Sequence, residues 1–374
     1  MNYKIPLSRP DITDKEINEV TRVLKTPYLS LGKKYREFEK LIAEYAGVKY
    51  AVAVNSGTSG LHLIIKAMGI SKGDEVITTP FSFIASSNCI LYEGAKPVFA
   101  DIDEKTFNID VLKVEEKITK KTKAILAVDV FSQPADWDAL KKIARKNKLF
   151  LIEDSAEALG SEYKSKKCGS FADAAVFAFF PNKQITTGEG GIILTNNKKI
   201  YELCRSMANQ GRGFSGGKWL KHEMLGYNYR LDEMSCALGI AQIKRLKEIL
   251  RKREKVAELY NKKLKGAKEL EIPYINPENK ISWFVYAVKL SEKFAGRKRD
   301  AIIKEMGKRG IQCANYFQPI HLQPFYRKQF GYKEGDFKTA ENVSKRTLAL
   351  PFFSDLTEKE IDFVVKNLKE IIHV

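Results

Sequence analysis

The sequence contains few of the residues from which metal sites and disulfide frameworks are built. Among its 374 residues are five cysteines and four histidines, and no two of either type are closely spaced. A disulfide scaffold needs paired cysteines at short intervals, and a zinc site needs clustered cysteine or histidine ligands. We therefore predict neither disulfides nor a metal site.

Long hydrophobic runs are also missing. A membrane-spanning helix needs roughly 20 apolar residues in succession, and no segment of the chain approaches that length. Residues 1–6 lack the apolar stretch of a secretory signal. The sequence therefore predicts a cytoplasmic protein that does not associate with a membrane.

Positive charge is in excess, because 64 Lys and Arg residues outnumber 46 Asp and Glu residues and give a formal net charge of +18. Such an excess can bind the phosphates of nucleic acids. The basic residues are distributed along the whole chain, however, and alternate with glutamates, as at Glu248 and Lys252. That pattern is typical of solvated helical faces. We expect no nucleic-acid partner, and a non-catalytic regulatory or nucleic-acid-binding protein is kept as the alternative from another functional class.

Short β-rich runs alternate with amphipathic helical stretches over the first two-thirds of the chain. This rhythm predicts an α/β fold with a mostly parallel sheet between helices, and the predicted strands are residues 50–54, 75–79, 97–101, 124–128, 149–154, 174–179 and 191–195. A long amphipathic helix starts near Asp232, a strand is predicted at 283–288, and a last helix at 358–372. We expect a large α/β domain at 1–255 and a smaller C-terminal α+β domain at 256–374.

Three features of the large domain together predict a phosphate-bearing aldehyde cofactor, pyridoxal 5'-phosphate (PLP). The Ser-Gly-Thr-Ser turn at 56–59 precedes a predicted helix and can cradle an anion, although ordinary helix capping also explains it. Asp154 ends a predicted strand and could keep a pyridine nitrogen protonated. Lys183 lies among aromatic residues and glycines, where desolvation would favour a neutral amine that attacks an aldehyde.

Four motifs resemble those of the DegT-type sugar aminotransferases, which have the fold-type I architecture of PLP-dependent transferases. They occur in the order expected for that family, at 56–58, 153–160, 179–191 and 226–230. The resemblance covers nearly the whole chain. Within the family, the sequence is most similar to the GDP-perosamine synthase-like branch, which aminates a GDP-linked 4-keto-6-deoxy sugar.

The resemblance implies a role in cofactor binding for several residues. Lys183 would form the Schiff base with PLP and then move a proton between substrate and cofactor. Asp154 would pair with the pyridine nitrogen, and Phe83 would stack on the ring. The phosphate would be bound by Gly57, Thr58 and Ser59.

Further residues are implied at the edges of the site. Asn228 would reach the phosphate from a neighbouring subunit, which implies a homodimer with shared active sites, and His321 would lie near the sugar. Glu157 would lie beside the cofactor hydroxyl, where many family members have glutamine or histidine, and two negative charges there are unfavourable unless one is protonated. Ala178 replaces a serine that contacts the phosphate in most members, so one hydrogen bond of about 1 kcal/mol would be missing.

The resemblance implies a ping-pong transamination. Glutamate would donate its amino group, and a nucleotide-linked keto-sugar, expected to be a 4-keto-6-deoxyhexose, would accept it. A 3-keto sugar nucleotide or a keto-inositol is the alternative acceptor for the same fold. A related dehydratase chemistry, in which histidine typically occupies the lysine position, is disfavoured by Lys183.

Overall fold

The computed structural model describes residues 3–213 and 221–373. The strands are β1 (Tyr50–Val54), β2 (Glu75–Thr78), β3 (Lys96–Phe99), β4 (Thr122–Val128), β5 (Phe150–Asp154), β6 (Glu162–Tyr163), β7 (Lys166–Lys167), β8 (Ala174–Ala178), β9 (Gly191–Thr195), β10 (Leu270–Glu271), β11 (Asn279–Lys280), β12 (Tyr286–Leu290) and β13 (Thr347–Leu350). The helices are α1 (Asp14–Leu24), α2 (Lys33–Ala46), α3 (Gly57–Ala67), α4 (Ala85–Leu91), α5 (Val111–Glu116), α6 (Trp137–Asn147), α7 (Lys198–Ala208), α8 (Glu233–Leu264), α9 (Arg297–Lys308), α10 (Pro324–Phe330), α11 (Lys338–Arg346) and α12 (Glu358–His373).

Seven strands form the main sheet, in the order β1-β9-β8-β5-β4-β2-β3. The five strands from β8 to β3 in this order run parallel, whereas β9 is antiparallel to both of its neighbours. This confirms the predicted α/β class with a mostly parallel mixed sheet. The register pairs Val128 with Asp154 and Asp154 with Val176, so that the carboxyl ends of β4 and β5 meet at one edge of the sheet, where α/β proteins commonly bind ligands.

Helices cover both faces of the main sheet because successive strand residues point in opposite directions. On β1, for example, Ala51 and Ala53 pack into one hydrophobic cluster with residues of α2, α6 and α8. Val52 and Val54 pack into a second cluster with residues of α3, α4 and α7. The near-continuous apolar runs of the sequence thus correspond to strands that are buried on both faces.

The long helix α8 connects the main sheet to the C-terminal part of the chain. It begins after Asp232, whose side chain accepts a hydrogen bond from the N–H of Ser235. Its second half packs into a third hydrophobic cluster with β12, β13 and α12. The predicted domain boundary at 255 lies inside this helix and stays a prediction.

The largest difference between a predicted and an observed strand is at the start of β12. The strand expected from 283 begins at Tyr286, because Trp283 has a φ of 55° and therefore cannot continue an extended backbone. Over the residues that the structure covers, none of the helices is both long enough and apolar enough to cross a bilayer.

Candidate active site

A cavity of about 600 Å³ lies at the carboxyl edge of the main sheet. It is bordered by the turn before α3, the end of β5, the loop between β8 and β9, and a segment near residue 316. Of the nine residues predicted for the site, six line this cavity: Gly57, Thr58, Phe83, Asp154, Glu157 and Lys183. Residues that are far apart in sequence therefore meet in one concave site.

Lys183 projects into the cavity from the loop that joins β8 to β9. The base of this loop is closed by two backbone hydrogen bonds, from Phe179 N–H to Gly190 O at 2.9 Å and from Thr187 N–H to Phe179 O at 3.0 Å. The lysine side chain is only 13% exposed. Its Nζ lies 3.5 Å from Glu157 Oε1 and 4.0 Å from the centre of the Phe284 ring. The amine is thus held in a place from which most water is excluded.

The carboxyl group of Asp154 is buried at the end of β5. Ser86 Oγ donates a hydrogen bond to its Oδ2 at 2.7 Å, and the N–H of Ala156 donates to its Oδ1 at 3.1 Å. Burial raises the pKa of Asp154, while these two hydrogen bonds and the charge of Lys183 act in the opposite direction. A buried carboxylate with few charged partners is suited to pair with a cationic ring nitrogen.

Glu157 lies between the Lys183 amine and the backbone that follows β4. Its Oε2 accepts a hydrogen bond from the N–H of Phe131 at 3.0 Å, while its Oε1 faces the lysine. Burial raises the pKa of Glu157, and the charge of Lys183 opposes this rise. Its position, with one oxygen facing the lysine, allows the glutamate to exchange a proton with groups in the cavity.

The turn at the start of α3 forms the opposite end of the cavity. The first backbone N–H groups of a helix have no partner within the helix, and here Gly57 and Thr58 bring them to the cavity. A Cβ on Gly57 would lie 2.8 Å from the Cβ of Ala178, so glycine allows the turn to lie directly against the end of β8. Ser56, which belongs to the turn predicted to cradle an anion, also lines the cavity. Ser59 does not line it, because its hydroxyl donates to Asn55 Oδ1 at 2.6 Å.

Three predicted residues occupy positions at the rim of the cavity or away from it. Phe83 lies at the rim and is 62% exposed. Asn228 is exposed, and its backbone pairs with Asn209 outside the cavity. His321 is fully buried elsewhere, where its Nε2 lies 3.0 Å from Glu341 Oε1. The structure therefore does not bring Asn228 or His321 to the cavity of their own chain.

Sequence reasoning missed an aromatic wall of the cavity. Phe284, Tyr316 and Phe317 form it, with the rings of Phe284 and Tyr316 parallel within 1°. Burial raises the pKa of Tyr316, and the neighbouring Glu157 raises it further. No local motif marks these residues, because they reach the site through long-range packing of the C-terminal part of the chain.

The donor set fits a ligand that carries an aldehyde, a basic ring nitrogen and a phosphate. The amine of Lys183, the carboxyl group of Asp154 and the amides that open α3 supply one matching group for each. In addition, Asn182 lines the cavity and its buried Oδ1 has no hydrogen-bond partner among the described residues. An unsatisfied buried acceptor of this kind is suited to a bound donor. The residues present therefore fit PLP.

A second group of buried acids lies near the cavity, with Asp129, Glu153 and Cys168 offering ligand atoms within 4.8 Å of one another. These acids are already hydrogen-bonded: Ser155 Oγ lies 2.5 Å from Asp129 Oδ2 and 2.8 Å from Glu153 Oε1. One hydroxyl can donate only one proton, and burial raises the pKa of both acids. We interpret the cluster as a shared-proton hydrogen-bond network that holds the strand ends, and the absence of a metal stays a prediction.

Comparison with known proteins agrees with this geometry. The model of the DegT/DnrJ/EryC1/StrS aminotransferase family matches residues 10–369. The chain is 38% identical to GDP-perosamine synthase of Caulobacter vibrioides over 99% of this chain and 98% of that protein. It is 36% identical to UDP-4-amino-4,6-dideoxy-N-acetyl-beta-L-altrosamine transaminase of Campylobacter jejuni, over 98% and 97%. The PLP form of a putative sugar aminotransferase, Spr1654 from Streptococcus pneumoniae, superposes with a TM-score of 0.94 at 28% identity, covering 99% of both chains.

Proposed function

Because this chain belongs to the DegT/DnrJ/EryC1/StrS aminotransferase family, we propose that it transfers the amino group of glutamate to a nucleotide-linked 4-keto-6-deoxyhexose, with PLP attached to Lys183. The enzyme is a sugar aminotransferase, and the proposal concerns its cofactor site, donor and acceptor. The observation that carries the proposal is the meeting of Lys183, Asp154 and the N-terminus of α3 in one cavity.

When bound, PLP supplies an electron sink for the carbanion that forms when the donor loses its α-proton. Asp154 would hold the pyridine nitrogen in its protonated form, since a buried carboxylate and a cation stabilise each other. The amides of Gly57 and Thr58, with the hydroxyl of Thr58, would hold the phosphate. Phe83 would cover the ring, and Glu157 would lie beside its hydroxyl.

Lys183 would move the proton between the substrate carbon and the cofactor carbon. Its Nζ lies 3.5 Å from Glu157 Oε1, so a carboxyl group lies close to the amine. Burial raises the pKa of Glu157, which favours its protonated form and so relieves the repulsion expected beside a phenolate oxygen. The aromatic wall would keep water from the reacting carbon.

The alanine at position 178, where most family members have a serine, is compatible with cofactor binding. Its methyl group packs against the turn that holds Gly57, and the helix amides remain available without a serine hydroxyl. Ser56 also lines this end of the cavity and would supply a further hydroxyl near the phosphate.

A homodimer with shared active sites is part of the proposal. Asn228 is exposed on the single chain and is outside its cavity, as expected of a side chain that serves a neighbouring subunit. Three large apolar side chains at the cavity or close to Asn228 in sequence are also exposed, namely Phe83, Phe180 and Leu225. Burial of such side chains between subunits is favourable. A sedimentation measurement would report the assembly, and an Asn228→Ala variant with weaker PLP binding would support the sharing.

The acceptor is argued from the relatives. One is named for a GDP-linked sugar and the other for a UDP-linked one, and both are amino sugars. We therefore propose a 4-keto-6-deoxyhexose and leave the base open. A 3-keto sugar nucleotide or a keto-inositol is the alternative, and a cytoplasmic location stays a prediction.

Borohydride reduction followed by peptide mass spectrometry tests the cofactor site. We expect one pyridoxyl adduct, on Lys183, and an adduct on another lysine or none at all would overturn the proposal. A panel of GDP- and UDP-linked 4-keto and 3-keto sugars, offered with ¹⁵N-labelled glutamate, tests donor and acceptor. We expect the label at C4 of the sugar by NMR, and label at C3 would favour the alternative.

A further inference from the structure

Arg253 is a charged side chain of α8 that is buried behind the aromatic wall. Its Nε donates to the carbonyl oxygen of Trp283 at 2.7 Å, and its Nη2 donates to that of Phe284 at 2.9 Å. No carboxylate lies within ion-pair distance of it among the residues that the structure describes, and burial lowers the pKa of its guanidinium to about 10, although the charge of Asp11 acts in the opposite direction. Burying a charge without a counter-charge is unfavourable. The two carbonyl groups that it holds therefore need an explanation.

The backbone beside Arg253 is in an unusual conformation. Trp283 has a φ of 55°, in the left-handed region that bulky side chains rarely adopt. Phe131 and Ser132, which face it, have φ values of 54° and 72°. Non-glycine residues keep such conformations only where surrounding contacts enforce them, and they are concentrated at functional sites.

The hydroxyl of Ser132 connects three segments of the active site. It accepts hydrogen bonds from the N–H of Phe284 at 2.8 Å and from Nε2 of Gln184 at 3.0 Å, and it donates to the carbonyl oxygen of Glu157 at 2.6 Å. A hydroxyl has one donor and two acceptor positions, so all of them are used. Gln184 directly follows Lys183 in the chain. Ser132 therefore fixes the spacing between the lysine loop, Glu157 and Phe284.

These contacts place the ring of Phe284 at the wall of the cavity. Ser132 accepts a hydrogen bond from the N–H of Phe284, and Arg253 donates one to its carbonyl oxygen. The peptide groups on both sides of Phe284 are therefore fixed. The ring centre lies 4.0 Å from Lys183 Nζ, and Tyr316 packs parallel to the ring at 6.3 Å. The ring face therefore covers one side of the amine, excludes water from that side and limits the positions that the amine can take.

We propose that Phe284 is a positioning residue for the Lys183 amine, and that Arg253 and Ser132 hold its ring against that amine. The inference rests on the proposed function of Lys183. With Phe284 on one side and Glu157 on another, the movement of the amine within the cavity is restricted. Correct orientation of a nucleophile before reaction is worth a large rate factor. This gives the buried charge of Arg253 a role in the site.

The test compares Phe284→Leu, which removes the aromatic face, with Phe284→Tyr, which keeps it. In the cofactor-free protein, we expect the rate constant for attachment of PLP to Lys183 to fall about tenfold in Phe284→Leu, because the amine is no longer oriented, and less than about threefold in Phe284→Tyr. In the loaded enzyme, the ratio of visible circular dichroism to absorbance should change in Phe284→Leu alone, and kcat should fall more than KM changes. Phe353→Leu, a buried residue of the third hydrophobic cluster, is the control for lost core packing.

Attachment rates and dichroism in Phe284→Leu that match the unaltered protein would overturn the inference, as would the same changes in Phe353→Leu. This failure is distinguishable from failure of the proposed function, because the unaltered protein would still carry its adduct on Lys183. If no adduct formed on Lys183 in any variant, the proposed function itself would fail.

Arg253→Lys and Ser132→Ala test how the ring is held. We expect both to reproduce the dichroism change of Phe284→Leu, because each releases one end of the Phe284 peptide. If Arg253→Lys does not fold, Ser132→Ala alone decides the matter, since it deletes one atom and retains the arginine. An unchanged dichroism ratio in the variants that fold would overturn this part of the inference.

Discussion

Lys183 and His321 are two nitrogen-bearing side chains that lie two residues after a proline in aromatic surroundings, and they have opposite environments. Lys183 projects into a cavity and has a carboxylate and a ring face beside it. His321 is fully buried and packs on Phe337 with ring centres 4.7 Å apart. A motif can therefore identify a polar residue without showing whether that residue faces a ligand or the core.

The environment of His321 explains why it is suited to a structural role. Burial lowers the pKa of His321, although Glu341 acts in the opposite direction, so the ring is neutral at neutral pH. A neutral ring can donate from Nε2 to Glu341, and its Nδ1 then has no partner in the described part of the chain. Glu341 also accepts from the N–H groups of Gly335 and Phe337. The pair thus organises a loop, and a contact between His321 and the sugar stays a prediction.

Replacing Lys183 with alanine should have the largest effect on activity. A small effect would mean that the exposure of Lys183 to the cavity, in contrast to the burial of His321, has no functional meaning. We expect turnover to fall by at least about a thousandfold, because the variant lacks both the nucleophile and the proton carrier. Mass spectrometry of the amino-sugar product measures this, and Lys198→Ala, on the exposed face of α7, is the control. Full turnover by Lys183→Ala would contradict the assignment.

Replacing Asp154 with asparagine should have the next largest effect, a fall in kcat of about a hundredfold, because an amide cannot stabilise a protonated ring nitrogen as a carboxylate does. The adjacent Glu153 is the matched control. It belongs to the buried acid cluster, so Glu153→Gln should lower the unfolding free energy while kcat changes less than about threefold. Equal losses of kcat in both variants would show that the carboxyl group of Asp154 has no special role.

Replacing His321 with glutamine should destabilise the protein by about 1–3 kcal/mol in denaturant unfolding, with kcat and KM changed less than about threefold. Because the pKa of His321 is lowered in the folded state, its contribution to stability is present above about pH 6.5 and is lost as the pH falls below that value. The variant should lose less stability than the unaltered protein between pH 7 and pH 5. A tenfold rise in KM for the sugar without loss of stability would show instead that His321 binds the sugar.

Replacing Asp129 with asparagine should have the smallest effect. Burial raises the pKa of Asp129 well above its ordinary value, so the folded protein keeps a proton that the unfolded chain releases above about pH 4. Stability from this group is therefore lost as the pH rises. In urea unfolding, the decline between pH 5 and pH 8 should be smaller in the variant by about 1 kcal/mol. An identical pH dependence would show that the acid cluster shares no proton.

Much of the fold was predictable because its signals are local. The strands β1, β5 and β9 are apolar runs, and each predicted strand of the main sheet is present within two residues of its expected ends. The start of β12 was predicted wrongly, since the apolar run from Trp283 resembles a strand while the contacts of Arg253 and Ser132 enforce a bend there. Residues such as Phe284 and Tyr316 could not be predicted for the cavity, because no periodicity records which distant segments pack together.

By itself, the sequence determined the family, the mostly parallel sheet and the choice of Asp154 and Lys183 as candidate site residues, since strand ends and glycine-bounded loops are encoded by neighbouring residues. Only the tertiary structure decided which polar groups share a cavity, which ring lies on the lysine amine and why His321 is buried. The physical reason is that burial and desolvation depend on all neighbours of a side chain, and most of those neighbours are distant in sequence.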